Sequence, residues 1–454
     1  MTRHFIPSAA MSAFSYSQEQ FKRIAQLVLD HAKSTGATGA EVEVSEGFGQ
    51  TVTVRKGEIE TIEYNKDKGV GITVYVGHRK GHASTSDLSE AALKATVDKA
   101  TTIARYTAED EFAGLPEAKW LSTEQADLDL YFPWPLTVEE AAERAKACEA
   151  AAFAVDKRIN NSEGGSASTQ ASHFIYANSL GFMGGYASSR HGVSVAVIAA
   201  DDNGMQRDYW YTSARDANDL ESPESVGRKA GERTVRRLGG RKMDTGTCPV
   251  IFEAPIASSL LNGFVGAVSG GSLYRKSSFL LDSMGKQIFA PLVQLREDPF
   301  IKKGLGSCPF DNEGVAVRAR DVVKDGVVQG YFLSTYSARK LGMESTGNAG
   351  GSHNLILQSG DHDLPGLLKK MDTGLLVTEM LGQGTNMVTG DYSRGAAGFW
   401  VEGGEIAYPV EEITIAGNLL NMFKGIQAVG NDVDRRGSKL TGSILIDSMT
   451  VAGN

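Results

Sequence analysis

The sequence predicts an α+β fold: an N-terminal and a middle unit, each pairing helices with an antiparallel sheet, followed by a β-rich C-terminal unit that encloses one buried helix. Three observations predict it. Apolar stripes at three- and four-residue spacing alternate with β-branched stretches through the first half of the chain. From residue 245 onward, short strand-like stretches recur between tight glycine turns. The 454 residues, 41% of them hydrophobic, suffice for two or three separate cores. The expected division is a disordered leader over residues 1–15, then units over 16–115, 116–244 and 245–454.

Residues 18–34 set Phe21, Ile24, Ala25, Val28, Leu29 and Ala32 on one helix face, and Gly36 ends that helix. TVTVRKGEIETIEYN and GVGITVYVGHRKGHAST alternate as strands do, broken by Gly57 and by the Gly77–Gly81 turn, and a helix over 88–104 closes the first unit. A proline-containing connector leads to an Ala-rich helix over 138–153. A second sheet follows, with turns at 178–181 and 202–204, then a helix over 223–238 and a glycine-rich hinge, GGRKMDTG. In the last unit, strands are expected in CPVIFEA, GVAVRARDVVKDGVVQGYFL, TGLLVTEML, GAAGFWVEGGEIAYPV and GSILIDSMTVA, and one helix over 255–268 with Pro255 in its first turn.

Bulk properties narrow the function. A net charge of -9 gives no whole-chain basic field, so nucleic acid is not an expected ligand. No run of eighteen apolar residues exists to span a membrane as a helix, and residues 1–15 lack a signal-peptide core. Cys148, Cys248 and Cys308 lie far apart and form no CxxC pair, a usage that suits the reducing cytoplasm.

Several constellations carry side chains capable of chemistry. His78 and His82 flank a glycine turn between strands, so they are expected as turn or surface residues, not as a metal pair on one helix face. GQGTNMVTGDYSRG is superficially similar to a phosphate loop but lacks the terminal Lys-Ser or Lys-Thr and a following helix. Its Asp391, Tyr392 and Arg394 are expected in a polar turn bordering a substrate groove or a subunit contact. His353, in the loop STGNAGGSHNL, is a candidate for lining a cleft; the plainer expectation is a loop histidine bonded to a nearby carbonyl.

The apolar helix ASSLLNGFVGAVSGG, together with RARDVVKDGVVQGYFLSTYSARKLGMESTGNAGGSHNL and VTEMLGQGTNMVTGDYSRGAAGFWVEGGEIAYPVEEITIAGNLLNMFKGI, resembles the TldD/PmbA metallopeptidase family, specifically its PmbA (TldE) branch. The resemblance runs over nearly the whole chain from about residue 20. In the family's catalytic subunit, the matching helix carries H-E-x-x-x-H, whose histidines hold zinc and whose glutamate polarises the bound water. Here Asn262, Gly263 and Ala267 occupy those positions, and the C-terminal stretch GNDVDRRGSKLTGSILIDSMTVAG has no cysteine where the family has its third ligand.

The resemblance therefore implies a chain with no cofactor of its own, paired with a TldD-like catalytic subunit that carries the zinc. The pair would cleave small or unstructured peptides, as in leader-peptide removal and antitoxin turnover. An extended substrate would add to a strand edge of the β-rich unit. The family's older label, modulator of DNA gyrase, names a downstream effect. The rival expectation is a homodimeric peptide-binding or regulatory module.

Overall fold

The computed structural model describes residues 14–202 and 204–453. Residues 1–13 of the expected leader lie outside the described residues. Phe14 and Ser15 belong to the folded part: the Ser15 backbone N–H donates to Glu46 at 2.8 Å, and the Phe14 ring lies 4.2 Å from that of His173.

The chain opens with α1 (Gln18–Ser34), which starts in a capping box on Ser17 and buries Phe21, Ala25 and Val28. Strands β1 (Gly39–Arg55), β2 (Glu58–Val76) and β3 (Arg79–Thr85) then meander, and α2 (Glu90–Tyr106) follows. Lys56 and Gly57, with φ of 52° and 78°, make the two-residue turn between β1 and β2. Positive φ at both central positions matches the twist of the paired strands, and glycine takes it without strain. Next come α3 (Val138–Phe153), β4 (Ile159–Asn178), β5 (Met183–Gly184), β6 (Ala187–Asp201), β7 (Gly204–Ala214) and α4 (Pro223–Arg236).

The strands of the two expected N-terminal units form one sheet, in the order β3-β2-β1-β4-β6-β7, with β5 beside β4. Antiparallel pairing of β1 with β4, from Glu41 opposite Asn178 to Val54 opposite Gly165, carries the sheet across the expected boundary near residue 115. Along β1, Val42 and Val44 pack on α1 and α2, while Val52 and Val54 pack on α3. Those residues share one face, because side chains alternate along a strand. The other face carries short polar residues instead, Gly47, Gly49 and Thr51 opposite Ser172, Gln170 and Ser168.

The C-terminal part contains β8 (Gly246–Phe252), α5 (Ala254–Ala267), α6 (Gly270–Tyr274), β9 (Leu295–Asp298), β10 (Arg320–Lys324), β11 (Val327–Val328), α7 (Thr335–Leu341), β12 (Asn354–Leu357), α8 (Leu364–Met371), β13 (Gly374–Leu381), β14 (Asp391–Glu402), β15 (Glu405–Asn418), α9 (Leu419–Lys424), β16 (Ile426–Val429), β17 (Lys439–Leu440) and β18 (Ile444–Ala452). The order β15-β14-β13-β8-β18 closes on itself through a β15–β18 pairing, with β16 alongside β18. A smaller sheet, β11-β10-β9-β12-β17, stands beside it. The buried face of α5 supplies Leu260, Leu261 and Phe264 to the largest core, where Phe264 meets Phe289 edge-on at 5.0 Å and Phe289 stacks on Phe423 at 4.5 Å.

The sequence led us to expect one helix beyond residue 245, and the described residues contain five, α5 to α9. Those missed span only 5 to 8 residues. Each opens on a side-chain cap, from Ser269, Ser334, Asp363 or Asn418, instead of announcing itself by periodicity. Among the described residues, no helix is long and apolar enough to cross a membrane.

Candidate functional site

Helix α5 leaves β8 through Glu253, whose carboxylate accepts both terminal nitrogens of Arg233 at 2.8 and 2.9 Å. The Ala254 N–H donates to Ser443 Oγ, and Pro255 sits in the first turn. That start fixes which residues reach the surface. Asn262 is exposed, Gly263 rests beside Leu419, and Ala267 is fully buried with its methyl in the core.

A cavity of about 310 Å³ lies over this exposed face of α5. Ser258, Ser259 and Asn262 form one side, Thr378, Glu379, Met380 and Arg394 a second, and the Tyr209–Trp210–Tyr211 run of β7 a third. The acidic groups here are already engaged: Asp208 faces Arg233 at 3.4 Å and Arg237 at 3.7 Å, and Glu379 pairs with Arg237 at 2.5 Å. Burial tends to lower the Arg233 guanidinium, but Glu253 and Asp208 hold it above its ordinary range. Arg436 lies over Trp210 and reaches Asp434 at 2.8 Å, joining the 430–437 loop to β7. Arg394 Nε and Thr378 Oγ1 are buried without a hydrogen-bond partner among the described residues.

Of the residues picked from sequence, Asn262 and Arg394 come together here. Arg394 donates to the Gly382 carbonyl at 2.6 Å. Tyr392 lies beneath the lining, its hydroxyl on the Met380 sulfur at 3.0 Å, and burial pushes the phenol up to about 12. Asp391 is exposed at the start of β14 and outside the lining, held by Thr389 at 2.7 Å and Asn418 at 3.3 Å; those bonds lower its carboxyl. His353 sits elsewhere, buried, with Nε2 on the Gly347 carbonyl at 2.8 Å and Nδ1 on the Cys308 sulfur at 3.2 Å. It is the carbonyl-bonded loop histidine of the plainer expectation. His78 and His82 also have separate partners, the Ala113 carbonyl and the Thr73 hydroxyl.

In the β-rich part, ring closure takes only the end of the outer edge of β15, pairing Thr414–Ala416 with Thr450–Ala452 of β18, and Arg241 bridges beside Val410. The edge that borders the cavity belongs to β7. Two of its outward carbonyls are already taken, Tyr211 by Arg436 and Arg207 by Arg237. Sequence reading placed this strand in the second sheet but not in the site, although three consecutive aromatics in a strand bounded by turns were a signal. Nothing local tied Arg233, Arg237 or Arg436 to it.

From this cavity a groove crosses the sheet face that the helices leave bare. Depressions lined by Ser168, Gly192 and Tyr211, then by Gly47, Gly49 and Asp67, share Gln170 and Arg190. A pocket of about 230 Å³ at the far end shares Ser172 with the second.

This three-part chain, with a closed C-terminal ring around an apolar helix, matches the models of one family along its length. The matches are the PmbA/TldA metallopeptidase domain 1 over residues 40–104, the central domain over 131–238 and the C-terminal domain over 245–453. The chain belongs to the PmbA/TldD family of metallopeptidases, and a peptidase-type role follows from that membership. It is 48% identical over 451 residues to Metalloprotease PmbA of Escherichia coli O157:H7, covering 98% of this chain and 99% of that one. Identity to the Metalloprotease PmbA homolog of Haemophilus influenzae is 44%, with 99% and 100% covered. The same organism has a Metalloprotease TldD homolog, 26% identical over 45% of each chain. Among solved structures, a protein described as a modulator of DNA gyrase from Bacteroides thetaiotaomicron superposes with a TM-score of 0.91 at 30% identity, covering 96% of this chain and 100% of that one.

Proposed function

We propose that this chain is the non-metal-binding subunit of a cytoplasmic two-chain peptidase that degrades or matures small unstructured peptides, including leader removal and antitoxin turnover. A TldD-like partner supplies the zinc, its water and the general base, and this chain builds the facing wall of a shared cavity. The observation that carries the reading is the state of α5. Asn262 offers an amide, Gly263 no side chain, and Ala267 a methyl enclosed in the core. Such a set does not fit a resident zinc, which takes imidazole, thiolate or carboxylate donors. Asp208 and Glu379, the carboxylates that line the cavity, are neutralised by Arg233 and Arg237. The groove supports the peptide part of the reading, since short polar residues and glycines let an extended main chain lie close.

The test is co-expression with a TldD-like chain. Chelator-sensitive cleavage of an unstructured peptide by the complex, and by neither this chain alone nor a zinc-depleted complex, is the expected result. One tightly bound zinc per isolated chain, with cleavage unaided, would overturn it.

A second reading, a homodimeric peptide-binding or regulatory module, is favoured by the outer edge of β2. Residues 58–68 pair with β1 alone and expose Ile59, Ile62 and Tyr64. Two copies related by a twofold axis at Glu63 would set Glu58 against Lys68, Glu60 against Lys66 and Ile62 against Tyr64. Sedimentation of the isolated chain decides it: a dimer that Lys66→Glu with Lys68→Glu dissociates supports this module, and a monomer removes it.

A further inference from the structure

The pocket at the far end of the groove is built differently from the rest. Its floor is the pair Glu43 on β1 and Tyr176 on β4, directly opposite each other; Glu43's neighbour on the other side is Gly71, where the His82 ring stands 3.6 Å from the position a Cβ would take. Phe174 and Tyr186 rise beside it with ring centroids 4.8 Å apart at 73°, and Phe310, brought in from the C-terminal part, closes the wall 5.9 Å from Tyr186 and 6.2 Å from Phe174. Asp311 also lines the pocket, buried, its oxygens accepting the backbone N–H groups of Glu313, Val315 and Ala349. Glu43 is exposed and has no hydrogen bond or ion pair among the described residues, and the protein packed around it raises its carboxyl by partial desolvation. The Arg215 guanidinium, whose charge reaches Tyr186, is committed to the carbonyls of Ser189, Gly304 and Leu305.

A carboxylate without a partner, set among edge-to-face aromatic rings, has a definite complement. An anion would be repelled. A neutral apolar group would cover Glu43 without compensating its lost hydration. A compact cation satisfies both halves, the carboxylate by charge-assisted hydrogen bonds and the ring faces by their quadrupoles. A volume of about 230 Å³ accommodates an ammonium head with a few methylenes.

We propose that this pocket binds the primary ammonium group of a peptide, either its N-terminal amine or a lysine side chain, with Glu43 as counter-ion and Phe174, Tyr186 and Phe310 as walls. The bearer of the amine rests on the peptide reading above; the ammonium site itself does not. Bound there, a peptide would be anchored at one end of the groove with its main chain directed across the bare sheet face toward α5.

Titration calorimetry on the full-length chain tests it with n-butylammonium, 1-butanol and four peptides: N-terminus free or acetylated, combined with lysine or norleucine at one position. Binding of n-butylammonium but not of 1-butanol is expected, weakened about tenfold or more by Glu43→Gln and by Tyr186→Leu. Glu43→Gln removes no internal hydrogen bond, so its melting temperature should match that of the parent chain, and lost binding then reports the site. The peptide arms separate the two sources, according to whether acetylation or norleucine abolishes binding. Equal binding of 1-butanol, indifference to Glu43→Gln, or no binding by any probe would overturn the proposal. A doubly blocked peptide binding as tightly as the free ones defeats the ammonium site and leaves the peptide reading standing. Binding of n-butylammonium through Glu43 with no peptide bound does the reverse.

Discussion

The guanidinium of Arg436 lies 4.0 Å from the ring centroid of Trp210 while donating from Nη1 to the Tyr211 carbonyl at 3.1 Å, so one side chain from the 430–437 loop seals both the face and the edge of β7. Its other terminal nitrogen holds Asp434 at 2.8 Å, and all of this is largely out of solvent. Lysine cannot reproduce the flat stacking and the fork together.

Arg436→Ala should therefore cost about 2–4 kcal/mol, because it strands a desolvated Asp434 and frees a carbonyl. Arg436→Lys should recover less than half. Urea denaturation of the three proteins checks this, and a change within about 0.5 kcal/mol for Arg436→Ala would show the seal to be energetically idle. The Asp434 carboxyl, which burial would raise, is held below its ordinary range by Arg436. Its share of stability is present above the unfolded carboxylate range and lost as pH falls through the depressed folded value. In Arg436→Ala that acid-side loss should shrink.

Asn262 and Ala267 should respond oppositely to histidine. Asn262→His places an imidazole on an exposed helix face and should leave stability within about 0.5 kcal/mol. Ala267 has 0% exposure, so Ala267→His forces a ring into filled space and should cost about 3 kcal/mol or more. Thermal melts of the two single variants discriminate, and equal melting temperatures would contradict the placement of Ala267.

Helices α3 and α4 meet at a glycine. A Cβ added at Gly227 would stand 2.0 Å from the Cys148 carbonyl oxygen and 2.9 Å from the Ala151 methyl, both on α3. Gly227→Ala should push the helices apart at a cost of about 1–3 kcal/mol despite alanine's better helix propensity. A stabilised variant in denaturant would refute the close approach.

Burial pushes the Asp311 carboxyl up to about 7, with the nearby Glu313 adding to the effect. The folded state then binds a proton that the unfolded chain releases near pH 4, so this group's contribution to stability is complete at low pH and is lost as pH rises from about 4 through about 7. Carboxyl-carbon NMR should show a resonance titrating near neutrality that Asp311→Asn removes. A titration near pH 4 would exclude the raised value.

The long helices were legible because their apolar spacing repeats enough to be recognised: α3 occupies Val138–Phe153, the span its alanine-rich pattern predicts. The β1–β2 hairpin was legible from Gly57. By contrast, the union of β1 with β4 joins strands more than a hundred residues apart, and alternation within either strand says nothing about its neighbour. In the site, the side-chain types on α5 were legible, and burial separates exposed Asn262 from enclosed Ala267. The guanidinium clamps on Asp208 and Glu379, and the lone Glu43 among rings, arise only when distant segments meet.

The ring of β15, β14, β13, β8 and β18 has a consequence for biogenesis. Its final stave, Ile444–Ala452, is made some two hundred residues after the first, Gly246–Phe252, and lies between β8 and β15. Until the ribosome has released that segment, both flanking strands present raw backbone edges, the kind that recruit other chains. A nascent or 3′-truncated product is thus the form of this polypeptide most in need of a chaperone.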